Sequence, residues 1–167
     1  MNYEKYPWHQ VFITNLLSIL IYTLGVVILQ HVNWVVAGLY LIYIFILEIR
    51  LLKYHCPNCY YYGKICAFGK GRISSIFFKK GNPDKFICKS FSVKDLIPDI
   101  LVFAFPAIAG IILLITDFQW YILVSLGGLI ILNFSGNAYV RGQIACKHCR
   151  QKDLGCPALD FFKPAER

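Results

Sequence analysis

The sequence predicts an all-α integral membrane protein with four transmembrane helices. We expect two tandem-repeated helical hairpins, each followed by a cytoplasmic C-x2-C-x6-C metal knuckle. Two observations carry this prediction. Of the 167 residues, 57% are hydrophobic and only 16% are charged, which is outside the usual range of soluble domains. The pattern C-x2-C-x6-C occurs twice, each time just after a long apolar stretch.

Four apolar stretches are each long enough to cross a hydrocarbon core of about 30 Å. They cover residues 11–32, 34–52, 96–116 and 118–140. Only a few residues separate the two stretches of each pair, so each pair predicts a helical hairpin. Pro106 lies near the middle of the third stretch, where it is expected to kink the helix.

The distribution of basic residues predicts the orientation in the membrane. All 17 Lys and Arg residues lie in the amino-terminal tail, in residues 50–94, or from Arg141 onward. By the positive-inside rule, both termini and both cysteine motifs are therefore cytoplasmic. The net charge of +8 then faces anionic lipid rather than nucleic acid. Tyr3, Tyr6 and residues 60–62 are expected at the inner interface as part of an aromatic belt.

The two halves of the chain are similar enough to predict an internal repeat. We call Cys56, Cys59 and Cys66 the first triplet, and Cys146, Cys149 and Cys156 the second triplet. A shift of 90 residues superposes the two triplets. Residues 1–94 would then form the first hairpin repeat with its triplet and a basic loop, and residues 95–167 the second, within one membrane domain.

The two triplets are predicted to bind metal. Thiols stay reduced in the cytoplasm, so the cysteines are better read as ligands than as disulfides. Three thiolates per triplet are one short of a tetrahedral zinc shell, and Cys88, His55 or His148 are candidates for a fourth ligand. Zinc is the preferred metal. An iron–sulfur cluster is the alternative, although the cysteine spacing fits neither common ferredoxin pattern. Redox-active thiols are a further alternative.

The second triplet resembles one half of the fungal binuclear zinc-cluster motif. In that motif two C-x2-C-x6-C halves share two zinc ions through bridging thiolates, and Arg150 and Lys152 match its basic positions. The resemblance implies a coordination chemistry in which six cysteines could hold two zinc ions. It does not carry over DNA binding, because the two halves are here 79 residues apart with a membrane hairpin between them.

Two further groups of residues are candidate sites. Residues 68–80 alternate apolar and basic side chains, which is typical of an amphipathic segment on the inner leaflet. Within it, Lys70, Arg72, Lys79 and Lys80 are expected to bind anionic lipid headgroups. Polar residues are also predicted in or near the inner half of the membrane, either paired between helices or lining a polar cavity for a lipid headgroup or quinone. These are Glu48, Arg50, Asp99, Asn133, Asn137 and Arg141.

The functional hypothesis is a zinc-stabilised membrane protein that acts as a scaffold, adaptor or small subunit at the cytoplasmic face. Its partners would be anionic lipid and a protein at that face. The sequence has no nucleophile–base pair at a recognisable spacing, which favours a protein that is not an enzyme. A redox subunit that passes electrons at the membrane is the first alternative. An enzyme or carrier for lipid headgroups is the second.

Overall fold

The computed structural model describes residues 2–83, 93–154 and 156, with the backbone alone for residues 93–95. The elements before the masked loop are α1 (Trp8–Gln30), α2 (Trp34–Tyr54), a 3₁₀ turn (Cys56–Asn58) and α3 (Lys70–Phe77). After it come α4 (Val93–Thr116), α5 (Trp120–Ile131) and a second 3₁₀ turn (Arg150–Leu154). Over the described ranges the architecture is all helical, apart from one isolated parallel bridge between Tyr3 and Cys149.

Four helices are long and apolar enough to cross a membrane, which confirms the predicted number of spans. They are Trp8–Gln30, Trp34–Asn58, Leu96–Thr116 and Trp120–Cys146. The first helix begins three residues earlier than the apolar pattern indicates. The reason is local, because the carbonyl of Pro7 accepts the N–H groups of Gln10 and Val11 and so opens the helix before the first run of apolar side chains.

Short polar turns close both hairpins. After α1, the N–H groups of Val32 and Asn33 both donate to the carbonyl of Leu29. The Asn33 side chain then accepts the N–H of Val35 at 2.8 Å and caps the start of α2. Between α4 and α5, the carbonyl of Gln119 accepts the N–H groups of the first turn of α5. These local bonds explain why so few residues suffice for each turn.

The fourth membrane helix contains two π-helical segments, and the second of them extends the helix beyond its predicted end at residue 140. They cover Leu132–Gly136 and Val140–Cys146, with a short α-helical piece, α6 (Asn137–Tyr139), between them. A Cβ atom on Gly136 would lie 2.9 Å from the end of the Leu17 side chain of α1, so Gly136 lets the two helices approach closely without a shift of that side chain. The last residue of this helix is Cys146, the first cysteine of the second triplet. Segments of π-helix often occur at functional sites.

The chain packs as two compact units that cut across the two sequence halves. Unit 1 comprises Met1–Asn15, Ile49–Ser92 and Tyr139–Arg167, and unit 2 comprises Leu16–Glu48 and Val93–Ala138. Unit 1 thus holds both cysteine triplets, α3 and several helix ends, whereas unit 2 holds the middle parts of the membrane helices. The origin of the chain by duplication at residue 94 stays a prediction.

The core of unit 2 is built around Tyr40 of α2. Leu29, Ala37, Tyr40 and Ile44 are buried together, and Val102 and Ala109 of α4 pack against them. The Tyr40 hydroxyl donates to the carbonyl of Val102 at 2.9 Å. The Tyr40 ring occupies the space that a Cβ on Gly25 would need, since that atom would lie 2.6 Å from the hydroxyl oxygen.

Candidate functional site

The first triplet begins where α2 ends. Pro57 is the second residue of the 3₁₀ turn Cys56–Asn58, where its missing N–H leaves no bond unmade. The N–H of Cys59 then donates to the carbonyl of Cys56 at 3.3 Å. The loop returns through Gly63 and Gly69, whose positive φ angles of 76° and 70° favour glycine. Gly63 lies between Cys59 and Cys66, and these two cysteines pack against the same buried cluster.

The second triplet forms the same tight turn. The N–H of Cys149 donates to the carbonyl of Cys146 at 3.2 Å, as the N–H of Cys59 does to that of Cys56. The N–H of Lys152 then donates to the carbonyl of Cys149 at 3.3 Å and begins the second 3₁₀ turn. In both triplets the C-x2-C segment is therefore already folded into a turn that places its two cysteines close together.

The amino-terminal segment joins the two triplets. The N–H of Tyr3 donates to the carbonyl of His148 at 3.0 Å, within the second triplet. The N–H of Tyr6 donates to the carbonyl of Ile65 at 3.0 Å, next to Cys66 of the first triplet. The hydroxyl of Tyr6 also donates to the carbonyl of Ala145, next to Cys146. Residues 3–6 thus hold one backbone bond to each triplet.

A buried aromatic core fills the space between the triplets. Tyr6 and Tyr61 are 3% and 2% exposed, and Cys59, Cys66 and Cys149 are among the residues packed against them. The Tyr61 hydroxyl donates to the carbonyl of Tyr3 at 2.6 Å and accepts the N–H of Arg150 at 3.0 Å. The aromatic-belt prediction is therefore wrong for Tyr6 and Tyr61. They are buried in protein because their hydroxyls find backbone partners there, which removes the need for the aqueous interface.

A direct bond links the two C-x2-C turns. The N–H of Tyr60 donates to the side-chain oxygen of Gln151 at 2.8 Å, and Gln151 is only 3% exposed. A buried amide with a backbone partner is a structural group, since an unpaired buried N–H is costly. Neither Tyr60 nor Gln151 belongs to a recognisable motif, so sequence reasoning did not single out this contact.

The sulfur atoms lie in a dry environment with backbone donors. Burial raises the pKa of Cys59 and of Cys149 to about 11 each. Backbone N–H groups oppose this rise, because that of Tyr61 bonds to the Cys59 sulfur and those of Gln151 and Lys152 bond to the Cys149 sulfur. Burial, and then the charge of Cys149, also raises the pKa of Tyr6. Burial therefore favours the neutral thiol at Cys59 and Cys149, and each of these two sulfurs has a donor that would stabilise its thiolate.

The six triplet cysteines are half-buried residues of unit 1, and none of the six forms a disulfide. In the part of the chain that the structure describes, no group of three or more Cys, His, Asp or Glu side chains is arranged to hold a metal ion. The ring of His148 packs on Tyr3 with 4.8 Å between ring centroids. Cys88 lies outside the described residues. The zinc knuckles therefore stay a prediction.

In the structure, one side of the basic segment (residues 68–80) packs against the protein and the other side is exposed. Phe68 packs against the Tyr6–Tyr61 core, and the Lys70 ammonium and the Arg141 guanidinium each lie 5.8 Å from its ring. Lys70 is half-buried, whereas Arg72, Lys79 and Lys80 are exposed. Three of the four predicted lipid-binding cations are thus exposed at the surface of unit 1, and Lys70 is the least exposed of the four.

The predicted intramembrane polar residues of unit 2 differ in their surroundings, and their role stays a prediction. Glu48 accepts a hydrogen bond of 3.0 Å from the hydroxyl of Tyr22, while Asp99 is exposed. Asn133 and Asn137 are half-buried within and beside the first π-helical segment. An open groove of about 320 Å³ lies between α2 and α4, but its lining is apolar or tyrosine: Val36, Leu39, Tyr40, Tyr43, Leu101 and Phe105.

In unit 1, Arg50 is half-buried and Arg141 is exposed.

Comparisons with protein-family models, with curated proteins and with solved structures find no match to this chain. The resemblance of the second triplet to the fungal zinc-cluster motif accordingly remains one of cysteine spacing. The four apolar helices indicate a membrane protein. Inferences about its function have to be based on the residues of unit 1.

Proposed function

We propose that this membrane protein binds zinc through its two cysteine triplets and acts as a scaffold or adaptor at the cytoplasmic membrane face. The observation that carries the proposal is the packing of both triplets around one core in unit 1, with the amino-terminal segment bonded to each. A metal bound at either triplet would hold helix ends and the amino-terminal segment in one fixed arrangement.

The small size of the core supports a structural role for metal. The buried hydrophobic cluster of unit 1 contains Tyr6, Tyr61, Ala67 and Ala145, and two of these four side chains are single methyl groups. Small units with little buried apolar area usually need disulfides or a metal for stability. At a cytoplasmic face thiols stay reduced, which favours a metal, and zinc bound by thiolates supplies folding free energy directly.

The residues that would hold the metal are Cys56, Cys59 and Cys66 together with Cys146, Cys149 and Cys156. Bound zinc would keep these sulfurs as thiolates, and the N–H groups of Tyr61, Gln151 and Lys152 would stabilise their negative charge. As thiolates, the Cys149 and Cys156 sulfurs of the second triplet would repel a thiolate at Cys59 of the first triplet, and a bound cation would offset this repulsion. Cys88 and His55 remain the candidates for an additional ligand.

Elemental analysis of protein purified without oxygen tests the proposal. We expect two zinc ions per chain, and a chain with fewer than one would contradict zinc binding. Iron with inorganic sulfide, and a brown colour, would support the redox alternative instead. Metal-free protein whose triplets form disulfides reversibly would support redox-active thiols. Glu48, one of the residues on which the lipid-headgroup hypothesis rests, accepts a hydrogen bond from the hydroxyl of Tyr22.

The variant Cys56→Ser separates two arrangements of the metal. If each triplet holds its own ion, the variant loses one zinc and retains the other at full affinity. If six thiolates share two ions, it loses both or binds both far more weakly. Cys88→Ser is the matched control. It is expected to leave a shared cluster intact and to weaken one ion only if Cys88 completes the first triplet.

A further inference from the structure

Helix α3 is fixed at the depth of the membrane boundary by its contact with α2. The hydroxyl of Ser74 donates to the carbonyl of Leu52 at 2.9 Å. Leu52 lies near the carboxyl end of the apolar helix Trp34–Asn58, directly before Lys53 and two residues after Arg50, and such cations are expected near the lipid headgroups. A helix whose buried side touches Leu52 therefore lies at the height of the lipid headgroups.

The rotation of α3 about its own axis is also fixed. Gly71 and Ser74 form its buried side. A Cβ on Gly71 would lie 2.2 Å from the carbonyl oxygen of Tyr61, so the helix approaches the first-triplet loop as closely as its backbone allows. Beyond α3, the N–H of Gly81 donates to the carbonyl of Pro57 at 3.1 Å. The residues on the side of α3 opposite Gly71 and Ser74 therefore face outward.

The outward side of α3 combines apolar and basic side chains. Ile73, Ile76 and Phe77 are 45%, 72% and 72% exposed. The exposed cations Arg72, Lys79 and Lys80 flank them, and the described residues from 70 to 83 include no acidic side chain. Three exposed apolar residues on one short helix, with cations on both sides, are the pattern of a helix that lies in a membrane interface.

We propose that α3 docks on the surface of an anionic bilayer. Ile73, Ile76 and Phe77 enter the boundary between headgroups and acyl chains, while Arg72, Lys79 and Lys80 contact anionic headgroups. The depth of Leu52 and the positive charge select lipid as the occupant of this face, rather than a second copy of this basic chain. The proposal is independent of metal binding, since none of these side chains is a candidate ligand.

The test uses the full-length protein in nanodiscs of phosphatidylcholine alone or mixed with phosphatidylglycerol. Hydrogen–deuterium exchange of the amides of α3 is the measurement. We expect slower exchange in the anionic discs, by about fivefold for each cation that contacts an anionic lipid. This protection should decrease as salt is raised, because exposed charges are screened. Equal exchange in the two kinds of disc would overturn the proposal, and would leave α3 open to a protein partner.

Three variants sharpen the test. Lys79→Gln/Lys80→Gln should remove most of the protection that depends on anionic lipid, since both side chains are exposed and follow the end of α3. Lys5→Gln/Lys147→Gln is the matched control, because it removes two exposed charges of unit 1 that lie outside α3 and should retain the protection. An equal loss in both double variants would overturn the proposal.

Ile76→Ser tests the apolar contribution. It should speed the exchange of α3 in both kinds of disc, and unchanged exchange in either would overturn insertion of the apolar face. Unchanged exchange of the loop between Tyr60 and Ile65 verifies in each variant that the first-triplet loop is still folded.

Discussion

The sharpest prediction concerns one carbonyl group inside unit 2. Pro106 lies within α4 and has no N–H, so it cannot bond the carbonyl of Val102 four residues earlier. The hydroxyl of Tyr40 donates to that carbonyl instead, at 2.9 Å. In Tyr40→Phe the freed carbonyl would lose this partner in a region without water. We therefore expect the substitution to destabilise the membrane helices.

The expected loss in the free energy of unfolding depends on whether the carbonyl of Val102 retains another hydrogen-bond donor. An average hydrogen bond between membrane helices is worth about 0.6 kcal/mol, because each group retains other partners when the helices separate. A buried carbonyl left without any donor costs about 1–3 kcal/mol. We expect about 1.5 kcal/mol for Tyr40→Phe. The matched control is Tyr43→Phe. Its acceptor is the carbonyl of Pro98, at 2.9 Å, which still faces the N–H of Val102, so about 0.6 kcal/mol is expected.

A double-mutant cycle measures the effect. Unfolding in mixed micelles with increasing dodecyl sulfate, followed by helix content, gives the free energy of each variant. In Pro106→Ala the new N–H can bond Val102, so Tyr40→Phe should cost only about 0.6 kcal/mol in that background. The expected coupling is about 1 kcal/mol. Costs that agree within about 0.3 kcal/mol in both backgrounds would refute the reasoning, since that is the scatter of independent sites.

Three further predictions concern topology and unit 1. A membrane-impermeant thiol reagent should label no cysteine in intact cells and should label them after permeabilisation and chelation; labelling from outside would contradict the cytoplasmic orientation. Gly71→Ala should lower the unfolding midpoint by a steric clash with Tyr61, whereas Gly38→Ala, with nothing within 4 Å of the added Cβ, should not; equal midpoints would contradict the close packing of α3. Gln151→Leu should cost about 1–3 kcal/mol, because the N–H of Tyr60 loses its acceptor, and an unchanged stability would show that water replaces it.

The sequence by itself determined the membrane helices and the local turns. Apolar length fixes each span because the bilayer requires about 20 apolar residues in succession, and every backbone group must be bonded within the helix. The turns that contain Cys56 and Cys146 also follow from local preferences, such as Pro57 near the start of a 3₁₀ turn. The cysteine triplets could be located from their spacing alone, without any knowledge of packing.

Only the tertiary structure decided what the amino-terminal segment and the tyrosines do. Tyr3 bonds to His148, and Tyr6 lies between the two triplets, although nothing in the local sequence distinguishes these residues from interfacial aromatics. An aromatic side chain with one hydroxyl suits a membrane interface and a buried site equally well. The choice depends on whether a distant backbone carbonyl is available, and that is a property of the folded chain.

The orientation of α3 was decided in the same way. Its sequence predicts an amphipathic segment with Phe68 among the apolar residues, yet Phe68 packs inward and Ile73, Ile76 and Phe77 face outward. The physical reason is the small side chain of Gly71, which lets the backbone of α3 reach the carbonyl of Tyr61 and so sets which side is buried. Periodicity shows that a helix has two faces, but only its neighbours determine which face is covered.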